Sequence, residues 1–160
     1  MKGRRSDTAS AMSGGDVTSM EFQDNQRCFV CGKHNPDGLH LDFEPDGTAG
    51  VRTIFTIPER FQGFAGIAHG GILATILDEC MVHTVWLSGT AAVTARFEVR
   101  LLRPVPIGQQ VTFHARVSRE SARGVEVEAH AELADGTIAA QSKGLLVKVG
   151  GGATRMLTQD

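Results

Sequence analysis

The chain has 160 residues, which suits one domain around one hydrophobic core. Its 16 Lys and Arg nearly balance 18 Asp and Glu and are spread along the chain, so nothing points to a nucleic-acid partner. No apolar run approaches the roughly 20 residues that span a bilayer, so no membrane association is expected.

A core of this size needs neither disulfides nor a metal as staples, and no cofactor is expected. The three cysteines, Cys28, Cys31 and Cys80, are an odd number, and Cys80 sits inside an apolar run. That usage fits a reducing compartment, and the cytoplasm is the expected location. Lys2, Arg4 and Arg5 have no apolar stretch behind them, so the start does not read as a secretory signal.

In chain order, residues 1–20 are rich in Gly, Ser, Thr and Asp and are expected to form a mobile tail. The domain is expected over 21–150, with a second flexible tail at 151–160. Leu39, Leu41 and Phe43 alternate with His40, Asp42 and Glu44, the pattern of a half-buried strand. Pro45-Asp46-Gly47 reads as a turn, and Val51 to Ile57 as a second strand stopped by Pro58.

A glycine-containing loop (Gln62, Gly63, Gly66) leads to His69-Gly70-Gly71 and then to a helix from Ile72 to about Leu87. Apolar residues cover nearly its whole circumference, so it is expected to be buried. Four strands follow. Val93 to Leu101 alternates up to Pro104, Val111 to Val117 repeats the pattern, and Val125 to Leu133 leads into the hairpin signal Asp135-Gly136. Ile138 to Val149 completes the set. Five to six antiparallel strands with one apolar helix imply an α+β layer in which the sheet wraps the helix. Long strands at the sheet edge favour edge-to-edge dimerisation.

Two features point to chemistry. Gly70 and Gly71 stand at a helix start, where backbone N–H groups lack intrahelical acceptors and the dipole is positive. Without Cβ atoms they admit a ligand carbonyl, so they can hold an oxyanion or simply allow close packing. Asp78 lies inside the apolar helix, where a carboxylate is costly without partners and so marks function. Glu79, about 100° further round, reads as the ordinary solvated carboxylate.

The stretch Gly66-Ile67-Ala68-His69-Gly70-Gly71-Ile72-Leu73-Ala74-Thr75-Ile76-Leu77-Asp78-Glu79 resembles the hotdog-fold thioesterases of the PaaI type. The matched features are His-Gly-Gly opening a buried helix and an Asp nine residues after the His. Thr94-Ala95-Arg96-Phe97 and Leu102-Arg103-Pro104 are similar to that family as well. The resemblance implies hydrolysis of an acyl- or aryl-CoA thioester by a homodimer or a dimer of dimers. Asp78 would be general base or nucleophile and the Gly70 N–H the oxyanion donor. It also implies that Thr94 holds the attacking water. Alternation puts Thr94 on the opposite parity from Phe97, Val99 and Leu101, so it reaches the site only from the strand's mouth or across a bulge.

His69 would contact the thioester or shape the loop. Gly71 and Gln62 would face substrate; Gly63 stands where many relatives carry a polar residue. Arg103, at a strand end, is the best partner for the phosphates of coenzyme A. Arg96 and Arg100 flank Glu98, and a charge ladder is the plainer reading for them.

Cys28-Phe29-Val30-Cys31-Gly32, with His34 and His40 nearby, could be read as a zinc site. Its ligands crowd one short segment, and it resembles the structural entry segment of one hotdog subgroup, so no metal is expected. Two rival functions remain. A hotdog hydratase or dehydratase would use an Asp and a His five residues apart, but Asp78 and His83 point about 140° apart on a helix. A non-catalytic acyl-CoA binding module would leave Asp78 without a role.

Overall fold

A computed structural model describes residues 24–149; the tails expected at 1–20 and 151–160 lie outside the described residues. The elements are β1 (Glu44–Pro45), β2 (Gly50–Thr56), a short 3-10 turn (Glu59–Phe61), α1 (Gly70–Trp86), β3 (Ala92–Leu101), β4 (Gln110–Glu120), β5 (Gly124–Leu133) and β6 (Ile138–Lys148). They form one six-stranded sheet in the order β1-β2-β4-β5-β6-β3, with every pair antiparallel. The α+β expectation of a sheet wrapped on one long helix holds: α1 packs against β2 through β6.

The helix is apolar all round because it is covered on all sides but its first turn. Leu73, Ile76, Leu77, Cys80, Met81 and Val85 are buried, and no residue from Ile72 to Trp86 is fully exposed. Facing it, the sheet presents Val111, Phe113, Val125, Val127 and Leu146, all buried, interspersed with the small residues Ala115, Ala129, Ala131 and Ala140. Each large side chain removed from water contributes about 1.5–3 kcal/mol. The small residues let the helix lie close. A Cβ on Gly144 would stand 2.9 Å from both Sδ and Cε of Met81.

One expected strand is absent. Residues 39–43 form no ladder, and β1 is only two residues long. His40 has φ +54, which breaks the pleat. The Leu39 and Leu41 amides donate instead to the carbonyls of Phe29 and Val30 (2.8 and 2.9 Å), tying this segment to the Cys28–Cys31 turn. Leu39 and Leu41 are buried as the alternation suggested, but their backbone satisfies itself locally. The helix also begins two residues earlier than expected, taking in Gly70 and Gly71.

β3 is the long edge strand, paired with β6 alone, and the two-residue β1 is the other edge. Val93 and Leu101 on it are exposed. The outer face of the sheet carries a charge ladder running Arg116–Glu128–Lys143–Glu98 across four strands. Lys143 Nζ lies 3.0 Å and Arg116 Nη2 3.6 Å from the Glu128 carboxylate. Together with Arg100, His114 and His130 these residues line a shallow depression of about 800 Å³.

Candidate active site

Thr94 and Asp78 meet. The Thr94 hydroxyl donates to Asp78 Oδ1 at 2.8 Å. The β3–β6 register slips between Thr94 and Arg96, so Ala95 is an extra residue and Thr94 swings to the helix side of the strand. Of the two routes by which Thr94 could reach the helix, the bulge is the one the chain uses. Burial pushes the Asp78 carboxyl above its ordinary value, and the neighbouring charge of Glu79 acts in the same direction. The Thr94 hydrogen bond opposes them.

The start of α1 is built by His69. Its backbone is extended (φ −67, ψ 129), and its Nδ1 accepts from the Gly71 amide at 2.9 Å as the N-cap. An imidazole accepting at Nδ1 carries its proton on Nε2, which leaves one outward donor. The cap consumes the Gly71 N–H, whereas the Gly70 N–H makes no hydrogen bond among the described residues. Gly70 lines a cleft of about 250 Å³ with Leu101, Leu102, Arg103 and Pro104. The structure therefore brings Gly70 and Arg103 to one mouth. Gln62 turns away from it: its Oε1 accepts from the Gly66 amide at 3.1 Å and braces the loop.

Asp78 and Gly70 do not converge within the chain. Eight residues of helix separate them by roughly 12 Å at about 1.5 Å per residue. Neither depression described above is lined by Asp78.

Glu79 departs from expectation. Its side chain is only 16% exposed, and its Oε1 lies 3.3 Å from His83 Nε2. The same oxygen accepts from the thiols of Cys28 (3.4 Å) and Cys31 (3.1 Å). Burial raises its pKa, but the hydrogen bonds of His83 and the two thiols outweigh that and hold it low. The Cys28 thiol is lowered to about 6, chiefly by the hydrogen bond from Cys31 and against burial. The His83 ring stacks on Phe43 with centroids 4.0 Å apart. Helix position alone made Glu79 look solvated, because nothing local shows that the Cys28–Cys31 turn folds over it. Phe64, 86% exposed at the tip of the glycine loop, also escaped the sequence reading; a single Phe between glycines carries no periodic signal.

Comparison with known proteins agrees with this architecture. Residues 65–140 match the thioesterase superfamily. No curated protein matches the chain by sequence. Among solved structures, a thioesterase superfamily protein superposes with a TM-score of 0.72 at 26% identity, covering 76% of this chain and 60% of that one. The Escherichia coli PaaI protein from the phenylacetic acid degradation operon gives 0.68 at 21%, over 72% of this chain and 84% of that one. A hypothetical thioesterase protein of Streptococcus pneumoniae, solved with coenzyme A, gives 0.66 at 16%, over 72% and 88%. Among the described residues no helix is long and apolar enough to cross a membrane. Over residues 65–140 in sequence, and in overall fold, the chain is similar to the thioesterase superfamily.

Proposed function

We propose that the protein is an acyl-CoA thioesterase of the PaaI type, hydrolysing an acyl- or aryl-CoA to the free acid and coenzyme A. The observation that carries this reading is the Thr94–Asp78 hydrogen bond in a partly buried, otherwise apolar setting. A carboxylate oriented there by one hydroxyl keeps its second oxygen for chemistry. It takes a proton from water as water attacks the thioester carbon, or attacks that carbon itself. The developing oxyanion rests on the Gly70 N–H at the positive end of α1. Collapse expels the CoA thiolate, which leaves as the thiol. In the base route it takes the proton that Asp78 drew from water. In the nucleophile route it takes a proton from water, which then hydrolyses the acyl–Asp78 anhydride to the free acid.

Solved relatives support the substrate class. The pneumococcal protein holds coenzyme A, and a Streptococcus mutans protein holds acetyl-CoA. In the pneumococcal protein an Asp and a Thr have each been replaced by alanine in separate structures. Those two positions are sixteen residues apart, the spacing of Thr94 and Asp78. Arg103, exposed beside Gly70 in the same cleft, is the phosphate contact. His69 and Gly71 act as the cap that aims the Gly70 amide, with His69 Nε2–H as a further donor to substrate. Gln62 holds the loop that shapes the entrance.

The active unit is a homodimer, or a dimer of such dimers, formed along the exposed β3 edge. The roughly 12 Å between Gly70 and Asp78 exceeds the contact of about 3 Å that one thioester carbon needs with both. A two-fold axis places the Asp78 of each chain beside the Gly70 of the other. Three free cysteines agree with a reducing, cytoplasmic setting.

The hydratase alternative is disfavoured by His83, whose Nε2 is engaged by Glu79 and whose ring stacks on Phe43. Free-thiol release from a panel of short, long and aryl acyl-CoAs tests the proposal, with crotonyl-CoA hydration followed in parallel. Thiol release absent across the panel, or hydration faster than release, would sink it in favour of a binding module or a hydratase.

A further inference from the structure

We propose that Cys28, Cys31 and Glu79 form a zinc(II) site that clamps the entry segment onto α1. The sequence offers Cys28 and Cys31 with His34 and His40 in one short segment, and of these only the two cysteines join the cluster. The fold supplies the third from a residue 48 positions beyond Cys31. The two Sγ atoms and the Glu79 oxygen all lie within 4.8 Å of one another. Both sulfurs converge on the same Oε1, at 3.4 and 3.1 Å. A tetrahedral zinc with S at about 2.3 Å and O at about 2.0 Å sets its S···O edges near 3.5 Å. Both S···O distances are thus within a few tenths of an ångström of ligand spacing.

The backbone is shaped for the same purpose. The Val30 amide donates to Cys28 Sγ at 3.3 Å, the outer contact that steadies a metal-bound thiolate. Gly32 donates to the Cys28 carbonyl at 2.9 Å. A Cβ there would stand 2.4 Å from Cys28 N and 2.6 Å from its O, so only glycine closes the turn this tightly. His83 Nε2 lies 3.3 Å from the same Oε1, and Phe43 stacks on its ring. Ring nitrogens take this outer role around metal-bound carboxylates.

The plainer account is that two thiols merely satisfy a mostly buried carboxylate. His83 shares that task, but thiols are weak donors, and as thiolates the same two sulfurs are strong zinc ligands. Two sulfurs with one oxygen select zinc over magnesium or calcium. Cys28 and Cys31 are partly exposed, so metal can enter and water fills the fourth position. The ion would sit one residue past Asp78 and hold the middle of the helix that carries it.

Full-length protein purified without chelator is assayed for metal and for thiol reactivity. The proposal requires about one zinc per chain, and zinc(II) alone must shield two thiols of the metal-depleted protein from a disulfide reagent. Cobalt(II) in place of zinc must give sulfur-to-metal charge-transfer absorption. Cys31→Ser and the isosteric Glu79→Gln should each weaken zinc roughly tenfold or more, with far-UV circular dichroism checking their fold. If a variant does not fold, the wild-type shielding and cobalt spectrum decide alone. Absence of shielding and of cobalt bands overturns the site. So does a Cys28–Cys31 disulfide in place of metal, or unchanged zinc affinity in folded Glu79→Gln.

Discussion

Thr94 Oγ1 donates to Asp78 Oδ1 at 2.8 Å, from a strand whose alternation alone would turn that hydroxyl away from the helix. The one-residue slip at Ala95 makes the contact. A regular β3 would keep the same residues and lose the only hydroxyl that bonds this carboxylate among the described residues. The bulge aims a side chain at a functional group.

Asp78→Asn keeps shape and volume and removes the charge. We expect an intact fold with kcat at or below about a tenth of wild type, each tenfold loss being about 1.4 kcal/mol. Steady-state thiol release alongside circular dichroism measures both. A mutant above that level would show that Asp78 is not the catalytic carboxylate.

Thr94→Val retains β-branching and packing but not the hydroxyl. If Thr94 positions the carboxylate and water, kcat falls roughly 10- to 100-fold with KM little changed. Thr94→Ser restores most of the loss. Equal damage in the Ser and Val variants would mean that the methyl, not the hydroxyl, matters.

Much of this was readable from residues. The apolar residues from Ile72 to Trp86 could only belong to a helix covered on nearly all sides, and four alternating segments from Val93 onward are β3 to β6. The same rule misread Leu39 to Phe43, because alternation reports burial and not a ladder partner. There the positive φ of His40 and the carbonyls of Phe29 and Val30 took over. Glu79 was misjudged for a related reason. Its neighbours Cys28 and Cys31 are 51 and 48 residues away, a contact that exists only once the entry segment folds over α1.

Two glycines separate crowding from conformation. Gly47 has φ +70 with open space around it, so Ala there costs about 1 kcal/mol of backbone strain. Gly32 meets backbone atoms of Cys28 and Gln26 at 2.4–2.6 Å, and Ala there should cost about 2–4 kcal/mol. Urea midpoints at constant m-value compare them. Equal losses would mean that the Cys28–Gly32 turn relaxes easily.

His130 should make the fold sensitive to mild acid. Burial, then the charge of His114 stacked 4.9 Å away, lower its pKa below 6.5; Arg116 acts with them, and Glu132 and Asp46 act against. The unfolded chain therefore binds this proton first as pH drops. Stability falls from about pH 6.5 downward until the folded state is protonated too. His130→Gln removes this contribution. Urea midpoints of the two proteins between neutral and mildly acid pH should converge as pH falls; parallel curves would exclude His130 as the source.

The final test asks whether one site needs two chains. Gly70→Pro removes the amide proposed to hold the oxyanion. The first helical position favours proline, and the extended His69 before it accepts one. The obstacle is Leu101 Cδ1, 2.4 Å from a Cβ at residue 70. That side chain is 56% exposed in the single chain and lies at the end of β3, so the variant should fold yet be inactive, with circular dichroism and dimer mass as the check. Asp78→Ala is inactive for its own reason. If Asp78 of one chain works with Gly70 of the other, a mixed dimer holds one doubly broken site and one intact site. Random reassembly of equal amounts then recovers about a quarter of wild-type activity, since half the dimers are mixed and each has one good site. Mass analysis of differentially tagged chains confirms exchange. Exchange without recovery would place Asp78 and its oxyanion donor in a single chain, and the donor would have to be a group other than Gly70.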